Sequence, residues 1–152
     1  MSLAVRRLGP GDVAAFRTMN RLFGEAFEDP DSYASAPPGD AYVEARLANP
    51  EFVALLATMG GEPAGALAAY ELKKFEQERS ELYIYDLAVA EPHRRQGVAS
   101  ALIAWLQDHA AAVGAWVVYV QADPPDLPAV ALYDKLGTRE EVLHFDIPVR
   151  RP

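Results

Sequence analysis

The run Glu91-Pro92-His93-Arg94-Arg95-Gln96-Gly97-Val98-Ala99-Ser100 brings together residue types suited to holding a phosphate. It follows an apolar, β-prone stretch at 81–89 (ELYIYDLAV). It leads into 97–113, where Val98, Leu102, Leu106, Ala110 and Val113 recur on one helical face before Gly114. A strand that turns directly into a helix presents backbone N–H groups that have no partner inside that helix. Those donors, with the positive end of the helix dipole, favour an anion. Gly97 removes a side chain that would hold a phosphate off the backbone, and Ala99 keeps the next turn small. Arg94 and Arg95 flank the entrance with guanidinium groups. Neither the lysine-bearing loop of nucleoside triphosphatases nor three spaced glycines of a dinucleotide fold is present.

A second residue with chemical potential is Asp86, which interrupts the apolar stretch 81–89. A carboxylate in a strand covered by helices is costly unless it is hydrogen-bonded or has a task. It reads either as a base or amine-positioning group, or as a structural carboxylate held by backbone or tyrosine donors. Strict alternation points Asp86 away from Tyr83 and Tyr85 unless a bulge intervenes.

Around these residues the hydrophobic pattern predicts strands at 3–8, 52–58, 64–72, 81–89, 116–121 and 141–147. Helices are expected over 13–27 with Asp12 as cap, in a short piece ending at Ala48, over 97–113 and over 128–136. The segment 28–40 (EDPDSYASAPPGD) reads as a loop, and 116–121 (WVVYVQ) as a strand buried on both faces. The order implies an α/β (α+β) fold: one mixed sheet with helices on both faces. At 152 residues the chain suits a single domain spanning 1–152.

The chain has no cysteine, which excludes disulfide and thiolate chemistry, and its three histidines lack ligand spacing, so no metal site is expected. Net charge is −8, with 22 acidic against 14 basic residues. That balance argues against a nucleic-acid partner and is compatible with a cationic substrate. The N-terminus shows no signal peptide, and no apolar run approaches the roughly 20 residues of a membrane span. A cytoplasmic protein without a membrane partner is the expectation.

Four motifs occur in order: YIYDLAV, AEPHRRQGVASALI, WVVYVQAD and AVALYDKLG. In this arrangement the sequence resembles the GNAT superfamily of N-acetyltransferases, with a mostly antiparallel central sheet and acetyl-CoA (coenzyme A) as donor. The resemblance is closest to the type I aminoglycoside 3-N-acetyltransferases, through GALAAYELKKFEQERSELYIYDLAV, PAVALYDKLG, REEVLHFDI and NRLFGEAFEDPDSY. It implies transfer of acetyl to the 3-amino group of an aminoglycoside, and hence antibiotic resistance. It also implies that Leu87, Ala88 and Val89 bond the pantetheine arm, while Arg94, Arg95, Gln96, Gly97, Val98, Ala99 and Ser100 bind the pyrophosphate. Tyr133 is implied as the acid for the departing thiolate, and Asp86 as base or positioning group. Asp126 stands where many relatives place a pantetheine-binding asparagine, and Thr138 where they place a phenylalanine. The implied acceptor side is acid-rich, with Glu25, Glu28, Asp29, Asp31, Asp123, Glu140, Glu141 and Asp146, and with Tyr85 as a further contact.

Relatives in this superfamily are often homodimers. Two alternatives remain beside the aminoglycoside reading. One keeps the enzyme and changes the acceptor to a polyamine, another small amine or a protein amine; the other is an acyl-CoA-binding module without turnover.

Overall fold

A computed structural model describes residues 2–152, which fall into two compact units, one ending at Val120 and the other running from Gln121 to Pro152. The first unit carries a five-stranded sheet in sequential order: β1 (Leu3–Arg7), β2 (Phe52–Met59), β3 (Glu62–Lys73), β4 (Ser80–Val89) and β5 (Ala115–Val120). The first four strands pair antiparallel, while β5 runs parallel to β4, so the sheet is mixed as expected. Four helices belong to the same unit: α1 (Val13–Ala26), α2 (Pro30–Tyr33), α3 (Asp40–Ala48) and α4 (Val98–Val113).

Side-chain alternation along the strands divides the core into two layers. On one face Phe16, Met19, Leu22 and Phe23 of α1, with Val43 and Leu47 of α3, bury against Phe52, Ala54 and Leu56 of β2, Ala66 and Ala68 of β3 and Ala88 of β4. On the other face α4 lays Val98, Leu102 and Leu106 beside the buried Leu55, Leu67, Leu82 and Ile84. Each such large side chain contributes on the order of 1.5–3 kcal/mol when fully removed from water. The small residues of β3, with Ala66, Leu67, Ala68 and Ala69 all buried, let helices approach from both sides.

Local structure departs from the sequence expectation at four places. Asp12 does not cap α1 with its side chain; its Oδ2 accepts from the Gly9 N–H at 2.8 Å and its Oδ1 pairs with Arg6 at 3.3 Å. The segment 28–40 is not all loop, because Asp29 caps the short α2 by accepting from the Ser32 N–H at 3.2 Å, with Pro30 opening the helix. In β5, Trp116 is 55% exposed rather than buried. Its indole N–H donates to Glu81 Oε2 at 3.2 Å, and the Arg79 guanidinium lies 4.4 Å over its ring.

The fourth departure is in the second unit, which holds α5 (Leu127–Leu136) followed by chain without regular structure. The expected strand at 141–147 does not form, and Leu143, Phe145 and Ile147 are exposed. Among the described residues of the second unit α5 is the one regular element, so the segment has no strand within that unit to pair with. Its pairing is local instead, with Arg139 Nε donating to Asp134 Oδ1 at 3.1 Å and His144 Nε2 within 2.8 Å of Asp146 Oδ1.

Gly65 sets how closely α4 seats on the sheet. A Cβ there would stand 2.7 Å from Val98 Cγ1, 3.0 Å from the Ala88 carbonyl oxygen and 3.4 Å from Leu102 Cδ1. Backbone on one side and the first helical turn on the other leave no room for a methyl group. Gly65→Ala is therefore expected to lower the unfolding free energy by about 1–3 kcal/mol. Chemical denaturation reads this directly, and a change below about 0.5 kcal/mol would mean that the helix start yields freely.

Candidate active site

The site begins with an irregularity in β4. The β3–β4 register runs Ala68 to Asp86 and then Ala69 to Ile84, leaving Tyr85 as an extra, bulged residue. In a regular strand Tyr83 and Tyr85 share one face and Asp86 lies on the other. The bulge restores Asp86 to the Tyr83 and Tyr85 face, where the partner residue Ala68 belongs to the α1–α3 core layer. Tyr83 and Tyr85 meet edge to face with ring centroids 5.7 Å apart.

Below the bulge β4 also loses its second neighbour. Its pairing with β5 covers Ser80 to Ile84 and goes no further. From Tyr85 to Val89 only the β3 side is bonded. The Ala90 N–H donates to the Ala64 carbonyl at 2.8 Å, so even-numbered residues here address β3. Leu87 and Val89 then turn their backbone groups to the open edge, and the Val89 carbonyl accepts from Arg94 Nε at 3.3 Å. An extended chain bearing amides could bond to such an edge as an added strand.

The turn into α4 follows immediately. A 3-10 turn at Glu91–His93 carries the chain into Arg94, then Arg95 at φ 62° and Gly97 at φ 82°, the cap of α4. Positive φ at Arg95 and Gly97 turns the chain sharply into α4. The first helical bond is donated by the Ala101 N–H to the Gly97 carbonyl, and no side chain caps the helix start. The N–H groups of Val98, Ala99 and Ser100 therefore have no carbonyl within α4 to bond. Gly97 takes a left-handed angle that few other residues adopt, and a Cβ there would meet no protein atom within 4 Å. The Gln96 side chain folds back to donate to the Pro92 carbonyl at 3.3 Å. Free N–H groups at a helix start suit a bound anion.

Asp86 is partly buried, and the loss of water around it raises its pKa above the ordinary carboxylate range. Opposing that shift, Tyr33 of α2 donates its hydroxyl to Asp86 Oδ2 at 2.7 Å. Tyr33 is a site residue not singled out from the sequence, although Asp29-Pro30 before it was a readable helix start. A continuous aromatic row crosses the same sheet face. Phe52 meets Tyr70 at 5.4 Å, Tyr70 meets Tyr85 at 5.9 Å, and Tyr83 stacks on Tyr119 at 4.6 Å. Tyr85 is 62% exposed within this row.

Of the expected acceptor acids, Glu25 and Glu28 line a groove of about 320 Å³ with Asn20, Arg21, Gly24 and Tyr33. Asp29 is not free, being the cap of α2. In the second unit Asp126 caps α5, its Oδ1 accepting from the Ala129 N–H at 3.4 Å. Tyr133 on the same helix is half-buried, and burial, with the nearby Asp126 charge, raises its hydroxyl pKa. Asp123 lends its carbonyl to the Asp126 N–H. Glu141 lies 4.0 Å from Arg139 and Asp146 against His144, both acids exposed. Among the described residues no group of three or more acids and histidines could hold a metal ion, and no helix is long and apolar enough to cross a membrane.

Comparison with known proteins places this geometry. The family model for GNAT acetyltransferases matches residues 16–138. The crystal structure of the aminoglycoside acetyltransferase HMB0005, from an uncultured soil metagenomic sample, is similar at 58% identity with a TM-score of 0.96. The match covers 99% of this chain and all of that one. The aminoglycoside acetyltransferase meta-AAC0020, from an uncultured soil metagenomic sample and solved in complex with sisomicin, has 29% identity, a TM-score of 0.90 and 97% coverage of each chain. The N-acetyltransferase YhfO of Bacillus subtilis is 26% identical over 147 residues, which covers 95% of this chain and 97% of the relative. The chain belongs to the GNAT family of acetyltransferases, enzymes that take their acetyl group from acetyl-CoA.

Proposed function

We propose that this acetyltransferase acetylates the 3-amino group of an aminoglycoside by direct transfer, with Asp86 as the general base. The observation that carries the reading is the bulge at Tyr85. It puts a desolvated carboxylate on the aromatic face of β4, one residue before the open-edge amides that suit the donor. The acceptor class is supported by the 58% identity to an aminoglycoside acetyltransferase over almost the whole chain. It is supported further by the sisomicin complex of a more distant relative and by the acids of the Glu25–Glu28 groove. The segments KKFEQERSE and REEVLHFDI favour 3-amino transfer, because they resemble the 3-N family. The family match spans both compact units, which supports reading the chain as one acetyltransferase domain.

Acetyl-CoA, when bound, supplies an acetyl thioester whose carbon accepts the amine and whose sulfur leaves. Asp86, with its pKa raised toward that of an effective base, takes the proton that the acceptor ammonium must lose. The Leu87 or Val89 N–H donates to the carbonyl oxygen as negative charge builds on it. Tyr133, kept protonated by burial, gives its proton to the departing thiolate. The Arg94–Ser100 cradle holds the pyrophosphate, and Leu87 to Val89 align the pantetheine.

Thiol release from acetyl-CoA, measured with gentamicin, spermidine and a lysine peptide, tests the acceptor, and NMR of the product locates the new amide. Acetylation of gentamicin at the 3-amino nitrogen is expected. Turnover of spermidine alone would move the enzyme to polyamines, and coenzyme A binding without release on any amine would make it a binding module.

Asp86→Asn is expected to cut turnover by about 10²- to 10⁴-fold while leaving acetyl-CoA affinity nearly unchanged. The same variant has a thermal signature. Because the folded protein raises the Asp86 pKa, native Asp86 binds its proton more tightly than the unfolded chain does. Stability falls as pH rises through that raised value. Asp86→Asn should therefore melt above the parent at about pH 8, with the gap closing toward about pH 4. A gap of constant size would refute the desolvated carboxylate.

Gly97→Val places a β-branched residue at a left-handed angle, a strain of about 1–3 kcal/mol. Its acetyl-CoA dissociation constant should rise roughly 5- to 100-fold in calorimetry, and parent-like affinity would remove the cradle from donor binding.

A further inference from the structure

The corner between α1 and α2 is built around one hydroxyl group. α1 ends in a Schellman turn, in which the Asp29 N–H donates to the Gly24 carbonyl at 3.0 Å and the Glu28 N–H to the Glu25 carbonyl at 3.3 Å. Glu28, rather than a glycine, takes the left-handed position at φ 52°. Such a conformation costs a non-glycine residue free energy and persists only where the surroundings fix it. Asp29 and Pro30 then start α2, which is only four residues long and ends on Tyr33. The Tyr33 ring is clamped by Phe23 at 6.0 Å and Phe27 at 5.9 Å, themselves stacked at 5.8 Å. Gly24 allows the approach, because a Cβ there would come within 3.1 Å of Tyr33 Cβ.

All of this delivers the phenolic oxygen to Asp86 Oδ2 at 2.7 Å, across 53 residues of sequence. Among the described residues no protein donor reaches the other oxygen, Oδ1. We propose that Tyr33 is the positioning residue of the reaction, its hydroxyl fixing one oxygen of Asp86 and holding the carboxylate ionised so that the other oxygen takes the acceptor's proton. This rests on the reading of Asp86 as base.

The electrostatic setting agrees with that assignment. Asp29 before α2 and Tyr85 from β4 act on Tyr33, and the Asp86 charge in turn acts on Tyr70 from β3 and Tyr83 from β4. From α3, Tyr42 and Arg46 act on Tyr70. Burial and the two acids hold the Tyr33 proton firmly, so the phenol stays a donor throughout the pH range in which Asp86 titrates. Its hydrogen bond opposes the upward shift that burial imposes on Asp86.

The test is Tyr33→Phe, which keeps the ring and its packing and removes only the donor. Carboxyl-carbon NMR of the free protein should show the Asp86 titration moved up by about one pH unit, the size of one hydrogen bond to a charged group. With gentamicin as acceptor, the acidic limb of kcat/KM should move by the same amount. kcat should fall about tenfold while KM changes less than about twofold. A ring that merely packs would leave both titrations in place, and an unmoved titration overturns the proposal.

Should Tyr33→Phe fold poorly, Gly24→Ala displaces the same hydroxyl from inside α1 and should shift the titration in the same direction. Parent-like turnover by Asp86→Asn removes the base and the proposal with it. An inactive Asp86→Asn beside an unmoved Tyr33→Phe titration removes Tyr33 alone.

Discussion

A single inserted residue in β4 governs the chemistry of the first unit. Were β4 regular through Tyr85, Asp86 would point with Ile84 toward α4, into a layer made of Leu55, Leu67, Leu82, Leu102 and Leu106. A carboxylate there would have hydrocarbon for neighbours and would be costly to ionise. The bulge instead turns it toward Tyr33 and the aromatic row, where a hydroxyl donor and partial access to water exist. The parting of β4 from β5 begins at the same point, because the last β4 residue paired to β5 is Ile84. Bulges bend and twist the strand that carries them, so re-aiming Asp86 and opening the edge at Leu87 and Val89 have one physical origin.

The cradle depends on the same strand in a different way. β4 ends at Val89, and the chain must reach the start of α4 within eight residues while lining a concave turn with N–H groups. Left-handed angles at Arg95 and Gly97 achieve the turn. Close seating of Val98 and Leu102 beside Gly65 and Ala88 fixes where the helix start lies relative to the open edge. The geometry of that turn is thus distributed between local backbone angles and a glycine more than thirty residues upstream, which no short motif contains.

Much of the fold was readable because it follows from periodicity. The strand at 81–89, the amphipathic helix from Val98 and the closing Gly114 all appear within a residue or two of where the pattern puts them. The turn that leads into α4 was legible for the same reason, being contiguous. The partner of Asp86 was not, since Tyr33 lies in a Pro-, Asp- and Ser-rich stretch whose composition signals a loop. Its helix is four residues long, too short for any period to show. The bulge was recognisable only as a condition, since parity says what a regular strand would do and register depends on Ala68 and Ala69 across the ladder. At 141–147 the failure runs the other way: alternation is clear there, but a strand exists only with a neighbour to accept its hydrogen bonds.

The two influences on Asp86 also explain why a buried carboxylate with a single donor is a useful compromise. Full satisfaction, with several N–H donors, would depress the pKa and make the group a poor proton acceptor for an ammonium. With no donor, burial alone would act, and it favours the protonated form. One phenolic hydrogen bond lies between these limits. It lowers the free energy of the ionised form without saturating it, and it occupies one oxygen while leaving the second available. A tyrosine donor adds direction without placing a positive charge beside the carboxylate. Glu25 and Glu28 line a groove with Tyr33, and acids so placed favour cations over anions.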